Sequence, residues 1–185
     1  MIEIIKGDLF TTDCKVIAHQ VNCTGTMGSG VAKIVKEKFP EVYKIYHNQC
    51  IGRYNGVKCD PWLMGSVSIL PRDDGNGYIA NMFSQYFYRG FFIPDFKDEL
   101  HRDRQYLMSD MYPPVKTKNL EGRYTDYEAF YSSLTQIKFF MKNKEMTSIA
   151  FPYNIGCDRG GGNWNIIRTM IEEVLKDMSV KLYKL

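Results

Sequence analysis

No C-x-x-C pair occurs among the five cysteines, at positions 14, 23, 50, 59 and 157. Their odd number in a chain of 185 residues argues against a disulfide framework, so reduced thiols are expected. His47, Cys50 and Cys59 match no zinc-ligand spacing, and no metal site is expected. No run approaches the roughly 18 apolar residues that a membrane helix needs. Residues 1–8 lack the apolar stretch of a secretory signal. The expectation is a cytoplasmic protein with no membrane partner. An excess of one charge is missing too. Lys and Arg number 24 against 21 Asp and Glu, and a net charge of +3 is too small to argue for nucleic acid. That class would rest on Arg72, Arg89 and the aromatics of 86–92, in a segment whose charges are mixed in sign. Internal repeats and low-complexity tracts are absent, and the composition, 44% apolar and 24% charged, excludes general disorder.

What is present reads as one domain, 1–185, built from alternating strands and helices. Strands are expected at 2–6, 16–21, 66–70, 78–83, 147–151 and 180–183. The third and fourth form a hairpin across Asp73-Asp74-Gly75-Asn76-Gly77. A helix carrying Val31, Ile34 and Val35 is interrupted at Phe39-Pro40, and Pro40 opens the next. Thr125-Asp126-Tyr127-Glu128 has the form of a capping box led by Thr125. Trp164, Ile167, Ile171, Val174 and Met178 stripe the last helix. This alternation predicts an α/β fold with a mixed, mostly parallel sheet. Residues 86–124 fit no period and read as an irregular insertion on the domain.

Two glycine-rich loops each follow an expected strand and precede a helix. The first runs Asn22-Cys23-Thr24-Gly25-Thr26-Met27-Gly28-Ser29-Gly30-Val31-Ala32, the second Asn154-Ile155-Gly156-Cys157-Asp158-Arg159-Gly160-Gly161-Gly162-Asn163-Trp164. Glycine lets the backbone approach a ligand and aim several N–H groups at it. At a helix N-terminus such groups attract an anion, usually phosphate. Neither loop ends in Lys-Ser/Thr, which disfavours P-loop chemistry on Mg-ATP. Two loops can clasp a pyrophosphate from both sides. Neither Gly30 nor Gly156 falls in an apolar stripe, so a larger residue at either is expected to cost the fold little.

These residues resemble the macrodomain family. Ile4-Ile5-Lys6-Gly7-Asp8-Leu9-Phe10 is similar to its opening signature. His19-Gln20-Val21-Asn22 with Gly28-Ser29-Gly30-Val31-Ala32 is similar to its second strand and first ligand loop, and Phe151 to Gly162 to its second loop. The resemblance implies a three-layer α/β/α fold with a cleft for ADP-ribose. It implies that Asp8 accepts from the adenine amine, with Leu9 offering backbone contacts beside it. Asn22 would face the distal ribose. Gly28, Ser29, Gly30 and Val31 would wrap one phosphate, and Ile155, Gly156, Cys157 and Asp158 the other side. An acceptor-only carboxylate suits an amine, and backbone N–H groups suit a pyrophosphate.

Within the family, two branches share this first loop. One removes the phosphate of ADP-ribose 1″-phosphate; the other removes ADP-ribose from acidic side chains or DNA bases with a lysine after the hairpin's second strand. Here that stretch reads Asn81-Met82-Phe83-Ser84-Gln85-Tyr86, with no lysine. The phosphatase branch is the better match, with His19, Asn22 and Asp158 as candidate catalytic residues: His19 exchanging protons and Asp158 acting on the attacking water. A reader that binds ADP-ribose without processing it stands beside it, as does an ADP-ribosyl hydrolase. The implied ligands are ADP-ribose and ADP-ribose 1″-phosphate, with ADP-ribosylated macromolecules as further candidate partners. No cofactor is expected.

Overall fold

Apolar runs bounded by turn residues become six strands in the computed structural model, which describes residues 2–51, 61–85 and 124–184. They are β1 (Ile2–Lys6), β2 (Val16–Asn22), β3 (Val67–Pro71), β4 (Tyr78–Gln85), β5 (Ser148–Pro152) and β6 (Ser179–Lys184). Their order in the sheet is β1-β6-β5-β2-β4-β3. Every neighbouring pair is parallel except β3 with β4. That exception is the expected hairpin, closed by Arg72 N–H donating to Gly77 O at 2.8 Å.

Among the described residues, four helices cover the sheet: α1 (Gly30–Lys38), α2 (Pro40–Ile51), α3 (Tyr127–Asn143) and α4 (Trp164–Val174). Alternation along β2 divides the core in two. Ile17 and Val21 pack with Val35, Val42 and Tyr46 of α1 and α2. Val16 and Ala18 pack with Phe130, Leu134 and Ile137 of α3 and Ile167 and Ile171 of α4. A central strand buried on both faces needs this nearly unbroken apolar sequence. The result is the expected three-layer α/β/α arrangement with a mixed, mostly parallel sheet.

Two local readings change. The residue that caps α3 is Asp126, whose carboxylate accepts from Ala129 N–H at 2.8 Å. Thr125 is still paired to the sheet through a bridge to Gln85, so the helix starts one residue later than a Thr125 cap requires. The last helix ends at Val174, and Met178 is buried in the turn beyond it. The insertion expected at 86–124 lies outside the described residues, apart from Tyr124. No helix among the described residues is long and apolar enough to cross a membrane.

β2 and β5 are parallel neighbours, and each feeds a glycine-rich loop at its C-terminal end. The topology therefore brings together two segments that are more than 120 residues apart in the chain. The carboxyl edge of a parallel sheet is where open α/β folds bind ligands.

Candidate functional site

The first loop is shaped by Asn22. A register shift against β4 falls between Val21 and Asn22. Asn22 Oδ1 accepts from Thr24 N–H at 3.0 Å, Thr24 Oγ1 at 2.6 Å and Tyr46 Oη at 2.9 Å. Its Nδ2 donates to Thr26 O at 2.6 Å. The side chain is only 3% exposed and engaged in folding the loop, a part that spacing did not reveal. Beyond it, Ser29 is the N-cap residue of α1 but makes no side-chain capping bond. In α3 and α4, by contrast, Asp126 and Asn163 accept from first-turn amides. No Ser29 side-chain bond caps the amides that open α1, and such amides can bind an anion.

The second loop is held from below. Thr125 Oγ1 donates to Gly156 O at 2.7 Å, and Gly160 O accepts from the amides of Tyr124 and Thr125 at 2.8 and 2.9 Å. Gln20 Nε2 donates to Thr125 Oγ1 at 3.2 Å and to Ser84 Oγ at 3.0 Å. A β-carbon on Gly160 would collide with Thr125 Oγ1 and Gly156 O.

Between the loops lies a cleft. Of the residues expected there, His19, Asn22, Gly28, Ser29, Gly30, Val31, Ile155, Gly156 and Asp158 line it. Asp8, Leu9 and Cys157 do not. Asp8 caps the short 3-10 turn Leu9–Thr11, its Oδ1 accepting from Phe10 N–H at 2.9 Å, and that turn packs against β5 and β6. Burial pushes the Cys157 thiol up to about 11, which disfavours the thiolate. Asp158 is exposed at the cleft.

His19 is 1% exposed, with Nε2 2.7 Å from Asn81 Oδ1. Burial holds its imidazole down to about 4, against a smaller opposing effect of the Asn81 contact, so the ring is neutral at physiological pH. In that state it carries one ring N–H and one acceptor nitrogen. Gln85, Tyr153, Asn154 and Arg159 also line the cleft. Of these, Gln85 belongs, with Ser84, to the stretch where the sequence has no lysine. The other three carried no sequence signal beyond membership of the second loop. Arg159 is the one cation among the described residues lining the cleft.

Arg72, offered to nucleic acid by the sequence, is 7% exposed; it bonds Asp74 at 2.6 Å and lies over Phe39. It therefore belongs to the hairpin's packing. Arg89 and the aromatics of 86–92 lie outside the described residues, as does Cys59. No group of three or more metal-ligating side chains occurs among the described residues.

No family model matches the chain. A protein of Debaryomyces hansenii named ADP-ribose 1″-phosphate phosphatase is 36% identical over 104 residues, covering 48% of this chain and 56% of that one. The chain spans about half the length of the curated relatives it matches. The macrodomain of Mycobacterium tuberculosis DarG superposes with a TM-score of 0.69 at 18% identity, covering 100% of this chain and 98% of that one. Thermosipho africanus DarTG in complex with ADP-ribose gives 0.67 at 18% identity, covering 98% of this chain and 41% of that one. The likeness to these solved structures shows that the chain has the macrodomain fold.

Proposed function

We propose that the chain binds ADP-ribose in this cleft and hydrolyses the phosphate ester of ADP-ribose 1″-phosphate. The observation that carries the reading is the α1 N-terminus. It opens without a side-chain cap into a cleft whose other wall is a second glycine-rich loop. Amides of Gly28 to Val31 would hold one phosphate, and those of Ile155 to Asp158 the other. Asp8 and Leu9 do not line the cleft, so the second oxygen of the Asp8 carboxylate would accept from the adenine amine only where the ligand extends past it. Asn22 would keep the first loop in shape next to the distal ribose. The names of the sequence relatives support the phosphatase branch.

In the reaction, Asp158 takes a proton from water as the water oxygen bonds to phosphorus. The bond from phosphorus to the 1″ oxygen breaks, and that oxygen becomes a hydroxyl after proton uptake, leaving ADP-ribose and inorganic phosphate. His19, neutral at the cleft floor, serves as a hydrogen-bond acceptor. Gln85 or Ser84 stands near the place where the ADP-ribosyl hydrolases are expected to carry lysine. Neither neutral side chain can supply that charge, which weighs against lysine-dependent hydrolysis. ADP-ribosylated macromolecules remain candidate partners of the reader alternative. A cytoplasmic setting is proposed from the sequence alone, whose odd number of cysteines and lack of a C-x-x-C pair argue against a disulfide framework.

Calorimetric titration with ADP-ribose and AMP, followed by a phosphate-release assay on ADP-ribose 1″-phosphate, tests the reading. ADP-ribose is expected to bind more tightly than AMP. Asp158→Asn is expected to bind while releasing phosphate at least about 100-fold more slowly, the usual scale for a lost general base. Equal affinity for AMP would remove the two-loop clasp. Binding without release in the wild type would leave the reader.

A further inference from the structure

Three buried polar side chains lie side by side across three strands, on the sheet face that α1 and α2 cover. Ser68 of β3 is in register with Asn81 of β4, and Asn81 with His19 of β2. Their exposures are 7%, 0% and 1%. The row makes one hydrogen bond, between His19 Nε2 and Asn81 Oδ1. His19 Nδ1, Asn81 Nδ2 and Ser68 Oγ have no partner among the described residues. Buried polar atoms are seldom left in this state without a reason. His19 is the member of the row that lines the cleft.

An amide oxygen accepts and cannot donate, so Nε2 must carry the hydrogen. A neutral imidazole protonated at Nε2 has its lone pair on Nδ1. We propose that Asn81 is a positioning residue that locks His19 in the Nε2–H tautomer and leaves Nδ1 as an acceptor for an O–H group bound in the cleft. A phosphate oxygen is itself an acceptor and would be repelled there. The O–H donor is a ribose hydroxyl of the ligand or the attacking water. The identity of that donor rests on the ADP-ribose reading; the tautomer does not.

Imidazole ¹⁵N shifts of the full chain report the tautomer without any ligand. The wild type is expected to show His19 Nε2 protonated and Nδ1 bare. A protonated Nδ1 would overturn the proposal outright. Asn81→Leu removes the acceptor and is expected to mix the two tautomers. Ser68→Ala removes an atom with no partner among the described residues and is expected to leave the spectrum unchanged. Asn81→Asp keeps an acceptor in place, so a folded variant is expected to keep the Nε2–H tautomer and to titrate His19 at a higher pH than the wild type.

Two further arms separate the donors. If a ribose hydroxyl binds Nδ1, ADP-ribose shifts the Nδ1 resonance, and Asn81→Leu raises the ADP-ribose Kd roughly tenfold. If water binds there, the resonance is unmoved by ADP-ribose and Asn81→Leu lowers kcat at constant KM. Neither effect appearing would overturn the acceptor role. If calorimetry detects no ADP-ribose binding, the ligand reading fails and the spectrum still decides the tautomer.

Discussion

His19 shows what one neighbouring strand does to a side chain's chemistry. Free in water, an imidazole titrates near 6.5; inside the sheet it is held to about 4. Between those values the unfolded chain carries a proton that the folded chain does not. Stability is therefore complete above the unfolded value and declines as pH falls toward the folded one. The gap corresponds to about 3 kcal/mol at full effect. Melts of the wild type and His19→Gln between neutral pH and about pH 4.5 check this. The wild type is expected to lose more Tm over that interval; parallel curves would mean that His19 is not buried as a neutral group.

The two loops look alike in composition and differ in how tightly they are packed. Both Gly30 and Gly156 have a positive φ, 55° and 75°. Forcing a larger residue into that region costs about 1–2 kcal/mol. A β-carbon on Gly30 would meet nothing within 4 Å. On Gly156 it would lie 3.2 Å from Gln20 Oε1, Ile167 Cδ1 and Thr125 Oγ1. The expectation that both positions tolerate substitution is harder to meet at Gly156, because the loop rests directly on α4 and on the Gln20–Thr125 network. Gly30→Glu is expected to lose ADP-ribose binding while keeping a cooperative melt. Gly156→Glu is expected to lower Tm much further than Gly30→Glu does. At the start of α3, Asp126→Ala is expected to cost about 1 kcal/mol in denaturant unfolding, the usual value of a lost N-cap.

At the scale of the molecule, the cleft lies across the seam between β2 and β5, so a ligand there ties the two loops to one another. ADP-ribose at about 100 times its Kd is expected to add about 2.7 kcal/mol of stability. A thermal shift measures it, and for a chain of this length each kcal/mol moves Tm by about 2–4 °C. AMP at the same concentration reaches only one phosphate-binding loop and is expected to give a smaller shift. An equal shift would place the binding energy outside the two-loop clasp.

The strand and helix sequence was legible in the chain because it depends on local periodicity and on turn residues: the apolar runs, the hairpin turn and the Phe39-Pro40 break are all short-range signals. The glycine loops were legible for the same reason, as was the aspartate in the second of them. The contacts made between strands were not. That Asn81 meets His19 follows from the β2–β4 register, which no local pattern encodes. That Asn22 is engaged by Tyr46 depends on α2 folding back over the loop. Thr125 reads as a cap from its spacing, yet it serves the second loop, because a bridge to Gln85 holds it in the sheet. Composition could name the groups suited to a diphosphate. Only the packing of β2 between β5 and β4 could set the protonation state of His19 and decide which loop tolerates a side chain, because burial and register arise from segments distant in sequence.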